Sequence, residues 1–341
     1  MKSQAIVAYG QALQEIATDM PEPKGTEVLV RITYSGVCHS DVHLQDGHVD
    51  LGDGDKQDWS RGRALPHTLG HEIEGVLHAV GPDAAAHLDG RTIGGRYVVF
   101  PWIGCGECPV CRRDQEHICS KPRAIGINVA GGYSEYVLVP HPRYLLDATG
   151  VPEGLAATYM CSGITAYSAL KKLRDIGEGD AILIVGLGGV GMMGLQFARA
   201  LFPQARVLGA DIDPAKLEAA RQAGASAVYD SKDPASQKQL RSDTGGVAAA
   251  IDFVGSNSSM AYANAAIRRG GAIVVVGLFG GKLTTPIPMF PQRPFSIIGS
   301  YTGPLGETRE MMELVRAGRI APISIEKRPL HCANEALEQL R

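Results

Sequence analysis

Apolar and polar positions follow two different patterns along the chain. In the first half, short runs that alternate between apolar and polar residues are separated by Gly- and Pro-rich turns. These runs predict β-strands at 27–34, 70–81, 96–100 and 133–139. Such punctuation is typical of a compact, barrel-like β domain. The charged, Asp- and Gly-rich segment 45–65 has little periodicity, so we expect an exposed loop there.

From about Cys161 onward, nearly continuous apolar runs alternate with helix-like segments. PAKLEAARQAG is one such segment, with Pro214 at its first helical position and Gly224 at its end. The alternation predicts a doubly wound parallel sheet and hence an α/β fold for this half, followed by a helix at 307–317. The six predicted strands are 181–186, 206–211, 227–230, 249–255, 272–279 and 295–301.

Bulk composition restricts the class of protein. A chain of 341 residues is long enough for two domains. Its formal net charge of −3 gives no reason to expect nucleic acid or an anionic membrane as a partner. The apolar runs are too short and too rich in glycine to span a bilayer. The N-terminal residues contain no apolar leader, so we expect an intracellular, cytoplasmic protein with reduced cysteines.

Four of the seven cysteines lie close together in a polar loop, at Cys105, Cys108, Cys111 and Cys119. Four thiolates on one short loop can fill the tetrahedral shell of zinc, so the spacing predicts a closed, structural zinc site. The alternatives are disulfides, an iron–sulfur cluster or unligated thiols. The expected reducing compartment argues against disulfides. The seven-residue gap before the last Cys argues against an iron–sulfur cluster. The polar neighbours argue against unligated thiols.

A glycine-rich turn follows the first apolar strand of the second half and opens a helix. It reads Gly186, Leu187, Gly188, Gly189, Val190 and Gly191. Asp211 ends the next strand, which is the context that a dinucleotide-binding motif requires. Gly186 would allow the tight turn, Gly188 the approach of the pyrophosphate, and Gly191 close packing. The Asp211 carboxylate would accept ribose hydroxyls and repel a 2′-phosphate, which favours NAD over NADP. The alternative is a purely structural turn.

Cys38, His71 and Cys161 are a candidate second metal site. Each alone could be a buried packing residue. Two thiolates and one imidazole together match the ligand set of a catalytic zinc, whose fourth position is left for water or substrate. The two sites together predict two zinc ions per chain. Cys332 has no assigned role and is expected to be a buried packing residue.

The chain resembles the zinc-dependent medium-chain alcohol dehydrogenases over nearly its whole length. The matching stretches are GVCHSDVH, TLGHEIEGVLHAVG, the four-Cys loop, GGYSEYV, CSGITAYSAL, GLGGVG with Asp211, and IIGSYTGPLGETRE. This resemblance implies a GroES-like β-rich catalytic domain at 1–162, a Rossmann NAD-binding domain at 163–298, and a segment at 299–341 that returns to the catalytic domain. It also implies zinc in the cleft between the domains.

The resemblance implies a reaction as well. Zinc would act as a Lewis acid while NAD reversibly oxidises a primary or secondary alcohol, aromatic ones included, to an aldehyde or ketone. A polyol dehydrogenase of the same superfamily is an alternative, and a non-catalytic zinc- and nucleotide-binding protein is another. Similarity further suggests a homo-oligomer, either a tetramer or a dimer.

The resemblance also assigns roles to single residues. Ser40 matches the first hydroxyl of a proton relay, and His43 matches the imidazole that passes the proton to solvent. The alternative for this pair is a strand-end turn with polar side chains in solvent. His39 matches a residue that faces the coenzyme pyrophosphate, and Lys216 matches one that holds the ribose beside Asp211.

Two acidic residues and three aromatic ones complete the site predictions. Asp41 and Glu72 resemble the carboxylates that orient metal ligands from behind. Because the segment 45–65 begins and ends between two zinc ligands, we expect it to shape substrate entry together with Trp59. Phe100 and Trp102 are either pocket-wall or core residues. The chain also ends before the final strand that relatives usually carry.

Overall fold

The β-rich first half contains ten strands. A computed structural model describes residues 1–341. The strands are β1 (Lys2–Ile6), β2 (Gln14–Ala17), β3 (Val28–Gly36), β4 (His48–Gly52), β5 (Asp55–Asp58), β6 (His67–Thr68), β7 (Glu72–Val80), β8 (Arg96–Val99), β9 (Tyr136–Val139) and β10 (Leu145–Asp147).

Eight of these strands form two antiparallel sheets. One has the order β10-β8-β7-β3-β9, and the other has the order β2-β1-β6. The four strands predicted in this half correspond to β3, β7, β8 and β9, so those predictions are confirmed. Val28 and Val30 of β3 and Ile73 and Leu77 of β7 are fully buried. The strands are detectable because their sequences alternate apolar and polar residues, although burial itself does not alternate strictly along either strand.

The segment 45–65 is exposed over most of its length, as predicted, but much of it is regular structure and not a loop. β4 and β5 pair antiparallel as a hairpin, joined by Asp53 and Gly54 at φ +57° and +83°. Two central turn residues with positive φ are what a two-residue hairpin turn requires, and Asp-Gly suits it. The signal was missed because the flanking residues are charged and do not alternate with apolar ones.

The second half is built on one parallel sheet of six strands. They are β11 (Ala181–Val185), β12 (Arg206–Asp211), β13 (Ala227–Asp230), β14 (Val247–Asp252), β15 (Ile267–Val275) and β16 (Ser296–Gly299). Their order is β13-β12-β11-β14-β15-β16, with every pair parallel. This order confirms the predicted doubly wound sheet, and such a sheet binds ligands where the strand order reverses, beyond the ends of β11 and β14.

Ten α-helices accompany the strands. They are α1 (His39–Asp46), α2 (Leu155–Thr158), α3 (Ile164–Lys171), α4 (Gly189–Leu201), α5 (Pro214–Gln222), α6 (Pro234–Thr244), α7 (Asn257–Ala266), α8 (Met289–Gln292), α9 (Leu305–Arg316) and α10 (Ala333–Glu338). A π-helical turn, Tyr159–Gly163, joins α2 to α3. Asp213 and Asp233 cap α5 and α6, and each is followed by the proline that starts the helix. The helix predicted at 307–317 is α9.

One hydrophobic core connects the two halves. It contains 48 buried residues and includes Val30 and Leu77 from the first half as well as Ile184 and Phe197 from the second. A core this continuous fixes the position of one half against the other, so a cleft between them has defined walls. No helix combines the length and the apolar character needed to cross a bilayer.

The last residues pack on the β-rich half as a helix. Ala333 and Leu337 of α10 are buried in a cluster with Ile6 and Leu13. The Asn334 amide exchanges two hydrogen bonds with the backbone of Leu13, at 2.8 and 3.0 Å. The end of the chain therefore contacts its beginning through a helix and not through a strand.

Candidate metal centres and nucleotide cleft

A cleft of about 1290 Å³ lies between the two halves of the chain. Cys38 and His43 line it from the β-rich side, while Gly188 and Asp211 line it from the parallel sheet. Pockets for drug-sized ligands span roughly 300–1,000 Å³. This cleft therefore has room for a dinucleotide together with a small substrate.

The three residues proposed as a second metal site converge in this cleft. Their ligand atoms all lie within 4.8 Å of one another, and the two sulfurs of Cys38 and Cys161 are 3.8 Å apart. Cys38 precedes α1, His71 precedes β7, and Cys161 lies in the π-helical turn. The His71 ring is fully buried, and its Nε2 has no hydrogen-bond partner. A buried, unpaired ring nitrogen beside two thiols fits a zinc ion.

Asp41 lies directly behind this cluster. Its Oδ1 is 3.2 Å from Nδ1 of His71, and its Oδ2 accepts hydrogen bonds of 3.0 Å from the Cys38 amide and from the Tyr133 hydroxyl. Asp41 is fully buried. A carboxylate in this position orients the imidazole and directs the opposite nitrogen at the metal.

Glu72 approaches the cluster from β7. Its Oε1 accepts hydrogen bonds from the backbone and the hydroxyl of Ser162, at 3.2 and 3.0 Å. Burial, together with the neighbouring Cys38, raises the pKa of Glu72 to about 8. The hydrogen bond between the two thiols lowers the pKa of Cys38 and raises the pKa of Cys161, so the proton shared by the pair lies on Cys161 and Cys38 is the first thiolate.

The four-Cys loop forms a second cluster in a lobe beside the cleft. Cys108 lies 3.4 Å from Cys111 and 3.8 Å from Cys119, and Cys105 lies 3.9 Å from Cys111, measured between sulfurs. All four sulfurs lie within 4.8 Å of one another. The thiols are free and not paired as disulfides. Four convergent thiols with no open position fit a closed zinc site.

Sequence reasoning missed the residue that holds this lobe to the core. Buried Glu116 accepts hydrogen bonds from the Gly104 amide at 3.1 Å and from the Tyr144 hydroxyl at 2.8 Å, and it pairs with Arg143. Tyr144 follows a turn on the β-rich half, far from the loop in sequence. No local pattern marks such a contact, so only the fold reveals it.

The glycine-rich turn closes the other end of the cleft. Gly186 has φ +86°, and a Cβ on Gly191 would lie 1.8 Å from the Gly186 carbonyl oxygen. A Cβ on Gly188 would meet nothing within 4 Å. These are the properties of a turn that starts a helix tightly and leaves its open side to a phosphate. Gly189 and Val190 also line the cleft.

Asp211 already has backbone partners on both of its oxygens. Oδ2 accepts from the Leu187 amide at 2.6 Å, and Oδ1 accepts from the Ile212 and Asp213 amides at 2.7 and 3.0 Å. Each carboxylate oxygen has further lone pairs, so ribose hydroxyls can still donate to it. Lys216, in α5, lines the same part of the cleft.

The residues proposed as a proton relay lie on α1. Ser40, His39 and His43 all line the cleft. The rings of His39 and His43 are 5.3 Å apart, and the His43 ring is 6.0 Å from that of Trp59. Burial lowers the pKa of His43, so its imidazole is neutral and able to accept a proton near neutral pH.

The aromatic residues divide between cleft and core. Trp102 lines the cleft, where its ring is 5.5 Å from that of His71 and 5.6 Å from that of Tyr301, a residue that sequence reasoning did not single out. Phe100 is fully buried and stacks on Tyr144, so its alternative as a core residue is correct. Cys332 is half-buried and not fully buried as expected.

Comparisons with known proteins agree with this geometry. A family model described as "Alcohol dehydrogenase GroES-like domain" matches residues 24–152, and one described as "Zinc-binding dehydrogenase" matches residues 189–317. An NAD-dependent alcohol dehydrogenase of Sulfurisphaera tokodaii is 36% identical over 100% of this chain and 96% of its own length.

Solved structures are similar over the same extent. The alcohol dehydrogenase of Aeropyrum pernix superposes with a TM-score of 0.87 at 30% identity, covering 100% of this chain and 96% of its own. The D-arabinose dehydrogenase of Sulfolobus solfataricus superposes with a TM-score of 0.83 at 27% identity, covering 97% and 98% of the two chains.

Proposed function

The chain belongs to the zinc-dependent medium-chain alcohol dehydrogenases, and from this premise we propose how its cleft oxidises an alcohol with NAD. It is an NAD-dependent oxidoreductase of that family, with zinc and NAD as cofactors. The observation that carries the proposal is the convergence of Cys38, His71 and Cys161 in the same cleft as the glycine-rich turn.

Cys38, His71 and Cys161 hold the catalytic metal in this proposal. Zinc bound there would polarise the alcohol oxygen and lower the pKa of the hydroxyl. Three protein ligands leave the fourth position to the substrate. Asp41 keeps the His71 ring oriented for this task from behind, and Glu72 supports the opposite side of the cluster.

The coenzyme occupies the parallel-sheet side. NAD bound there would supply the hydride acceptor for the alcohol carbon. The amides at the start of α4, beginning with Gly189, would hold the pyrophosphate, and His39, which lines the cleft, would approach it from the β-rich half. Asp211 and Lys216 bind the adenosine ribose, and the charge of Asp211 excludes a 2′-phosphate.

The hydroxyl proton leaves through the β-rich side. Ser40 passes it to His43, whose ring is half-buried against Trp59. Because burial keeps the pKa of His43 below its usual value, the ring is an acceptor at neutral pH and passes the proton on to solvent. The four-Cys site takes no part in this path, since a closed site binds no substrate.

The walls of the cleft indicate the substrate class. Trp59, Trp102 and Tyr301 line the cleft with aromatic surface, and Trp102 lies beside His71, which suits a small aliphatic or aromatic alcohol. A polyol or sugar is the second candidate. Gln115, His117 and Asn128 also line the cleft, where their polar groups could bind additional hydroxyls, and D-arabinose dehydrogenase is among the similar structures.

The assembly is proposed to be a homo-oligomer, a dimer or a tetramer. β16 is an edge strand of the parallel sheet, and the surface beside it is apolar. Ile287 is 81% exposed, and Phe290 and Ile297 are also exposed. Monomers rarely leave an apolar surface with an unpaired edge uncovered, so a second copy is its expected partner.

The proposed domain division is the one that the family resemblance implies. We assign residues 1–162 to the catalytic domain, 163–298 to the NAD-binding domain and 299–341 to the returning segment. The contact of α10 with Leu13 and the ion pair of Arg316 with Asp147 support the return. A cytoplasmic location is proposed because seven reduced cysteines require a reducing compartment.

One experiment tests the function directly. NAD reduction is measured on the zinc-loaded protein with panels of aliphatic, aromatic and polyhydroxy alcohols, alongside metal content per chain. Turnover of at least one panel together with about two zinc per chain is the expected result. No turnover with any alcohol would refute the assignment, and faster turnover of polyols would favour the second candidate.

A further inference from the structure

The hairpin formed by β4 and β5 reaches from the β-rich half to the parallel-sheet half. Its tip, Asp53 and Gly54, is a tight turn with positive φ at both residues. A two-stranded hairpin by itself is at best marginally stable in water. Every residue of β5 is exposed and Val49 is the one buried residue of β4, so the strands gain little from a core of their own. The hairpin therefore depends on what it contacts at its tip.

That contact is the segment 280–282, which follows β15 on the parallel-sheet half. Lys282 Nζ lies 2.9 Å from Asp55 Oδ2 and 3.2 Å from Asp53 Oδ2. The backbones also meet closely, because a Cβ on Gly52 would lie 2.8 Å from Cα of Gly281. Ion pairs and close backbone packing therefore connect the two halves of the molecule at this point.

The segment that receives the hairpin continues directly into the cleft wall. Gly277 and Phe279 line the nucleotide cleft only a few residues before Lys282. The Phe279 amide donates to the Val254 carbonyl at 3.1 Å, and the Lys282 amide donates to Asn257 Oδ1 at 2.7 Å. These bonds make the wall and the docking segment one connected piece. A shift of 280–282 therefore moves the surface that faces the coenzyme.

We propose that the β4–β5 hairpin and Lys282 form a clasp that holds the cleft closed over NAD(H) and slows coenzyme release. The clasp rests on the proposed function, since the cleft has to hold the coenzyme. Lys282 is a positioning residue in this scheme because it touches no reacting atom. Its side chain and both aspartates are about half exposed or more, so the ion pairs are weak enough to open in each catalytic cycle.

Two glycines of the hairpin provide a matched test. Gly52 and Gly54 have similar positive φ values, +88° and +83°, so alanine is disfavoured by φ at both positions. Only the Gly52 Cβ would push against Gly281, because the Gly54 Cβ would meet nothing within 4 Å. The rate of NADH release from the zinc-loaded protein is measured by stopped-flow fluorescence. Gly52→Ala should release NADH at least about threefold faster than Gly54→Ala.

Charge variants test the ion pairs independently of hairpin folding. Lys282→Met should speed NADH release about two- to fivefold, as expected for a partly exposed ion-pair network, and Lys282→Arg should not. Lys282→Glu should be faster still at low salt, and adding Asp55→Lys should restore the slow rate. A purely structural role would change the melting temperature without this charge-dependent rescue.

Each result decides the proposal. Equal release rates in Gly52→Ala and Gly54→Ala, or no rescue of Lys282→Glu by Asp55→Lys, would overturn the clasp while leaving the dehydrogenase assignment intact. If the wild-type protein bound no NADH, the proposed function would fail first and the clasp with it. Faster release in Gly52→Ala together with charge rescue would establish the clasp.

Discussion

Replacing Asp41 with asparagine should remove the catalytic metal and leave the structural one. Asp41 Oδ2 accepts from the Cys38 amide and the Tyr133 hydroxyl, and Oδ1 faces Nδ1 of His71. An asparagine that keeps the first two bonds must present its amide NH₂ to His71. Nδ1 must then accept a hydrogen bond, and the ring proton moves to Nε2, the nitrogen that has to bind zinc.

The size of the effect follows from losing the 3.2 Å contact between Asp41 Oδ1 and His71 Nδ1, which is within hydrogen-bond distance. A hydrogen bond to a charged group contributes about 1.5–3 kcal/mol, which corresponds to about a 10- to 150-fold change in an equilibrium constant. Loss of a carboxylate that orients a ligand typically lowers metal affinity by about 10- to 100-fold. The two ranges agree, so we expect Asp41→Asn to bind zinc at the Cys38 site about 10- to 100-fold more weakly.

Metal content after equilibration with a zinc buffer is the assay. The wild type should keep about two zinc ions per chain. Over a range of free zinc concentrations, Asp41→Asn should keep about one zinc ion per chain and should lose activity as the other is lost. Tyr133→Phe is the control, because it removes one bond to Asp41 and leaves the carboxylate facing His71. Two tightly held zinc ions in Asp41→Asn would refute the tautomer argument.

Three further predictions concern the coenzyme site and the effect of pH. Gly191→Ala should lower both the melting temperature and NAD affinity, because its Cβ would lie 1.8 Å from the Gly186 carbonyl oxygen. A Cβ at Gly188 would meet no atom within 4 Å, so Gly188→Ala should weaken NAD binding and leave the melting temperature unchanged. Equal melting temperatures for the two variants would contradict this. Asp211→Gly should raise the ratio of kcat/KM for NADP to kcat/KM for NAD, because the charge that repels a 2′-phosphate is removed. The same change should lower the melting temperature, since three backbone amides lose their acceptor. An unchanged ratio would count against the charge argument. Burial lowers the pKa of His67 to about 4. As the pH falls, His67 is therefore protonated in the unfolded chain before it is protonated in the folded one. The free energy of unfolding should fall by up to about 3 kcal/mol between about pH 6.5 and 4. Denaturant titrations of His67→Gln should show a shallower fall, and an equal slope would contradict the assignment.

Most of the fold could be predicted because its signals are local. Buried parallel strands such as β11 are apolar at every position, and β3 alternates between exposed and less exposed positions after Val30. The hairpin of β4 and β5 was missed because its stabilising contact, Lys282, lies more than 220 residues away in sequence. A pattern read over ten or twenty residues contains no information about such a partner.

The site divides in the same way. The four-Cys loop and the glycine-rich turn are continuous in sequence, so spacing alone predicts their chemistry. Sequence spacing does not show that Cys38, His71 and Cys161 meet, and only the family resemblance implied it. The structure places their ligand atoms within 4.8 Å of one another. Ser162 and Tyr133 could not be predicted as supporting residues, because their role comes from the carboxylates of Glu72 and Asp41 across the fold.

The sequence by itself determined the fold class, the closed zinc loop and the preference for NAD, since each depends on residues that are neighbours along the chain. Only the tertiary structure decided the geometry of the open metal cluster, the attachment of the zinc lobe through Glu116, and the link between hairpin and cleft wall at Lys282. The physical reason is the range of the interactions. Backbone conformation and short-range spacing are encoded locally, whereas burial, hydrogen-bond partners and ion pairs between distant segments arise only when the chain has folded.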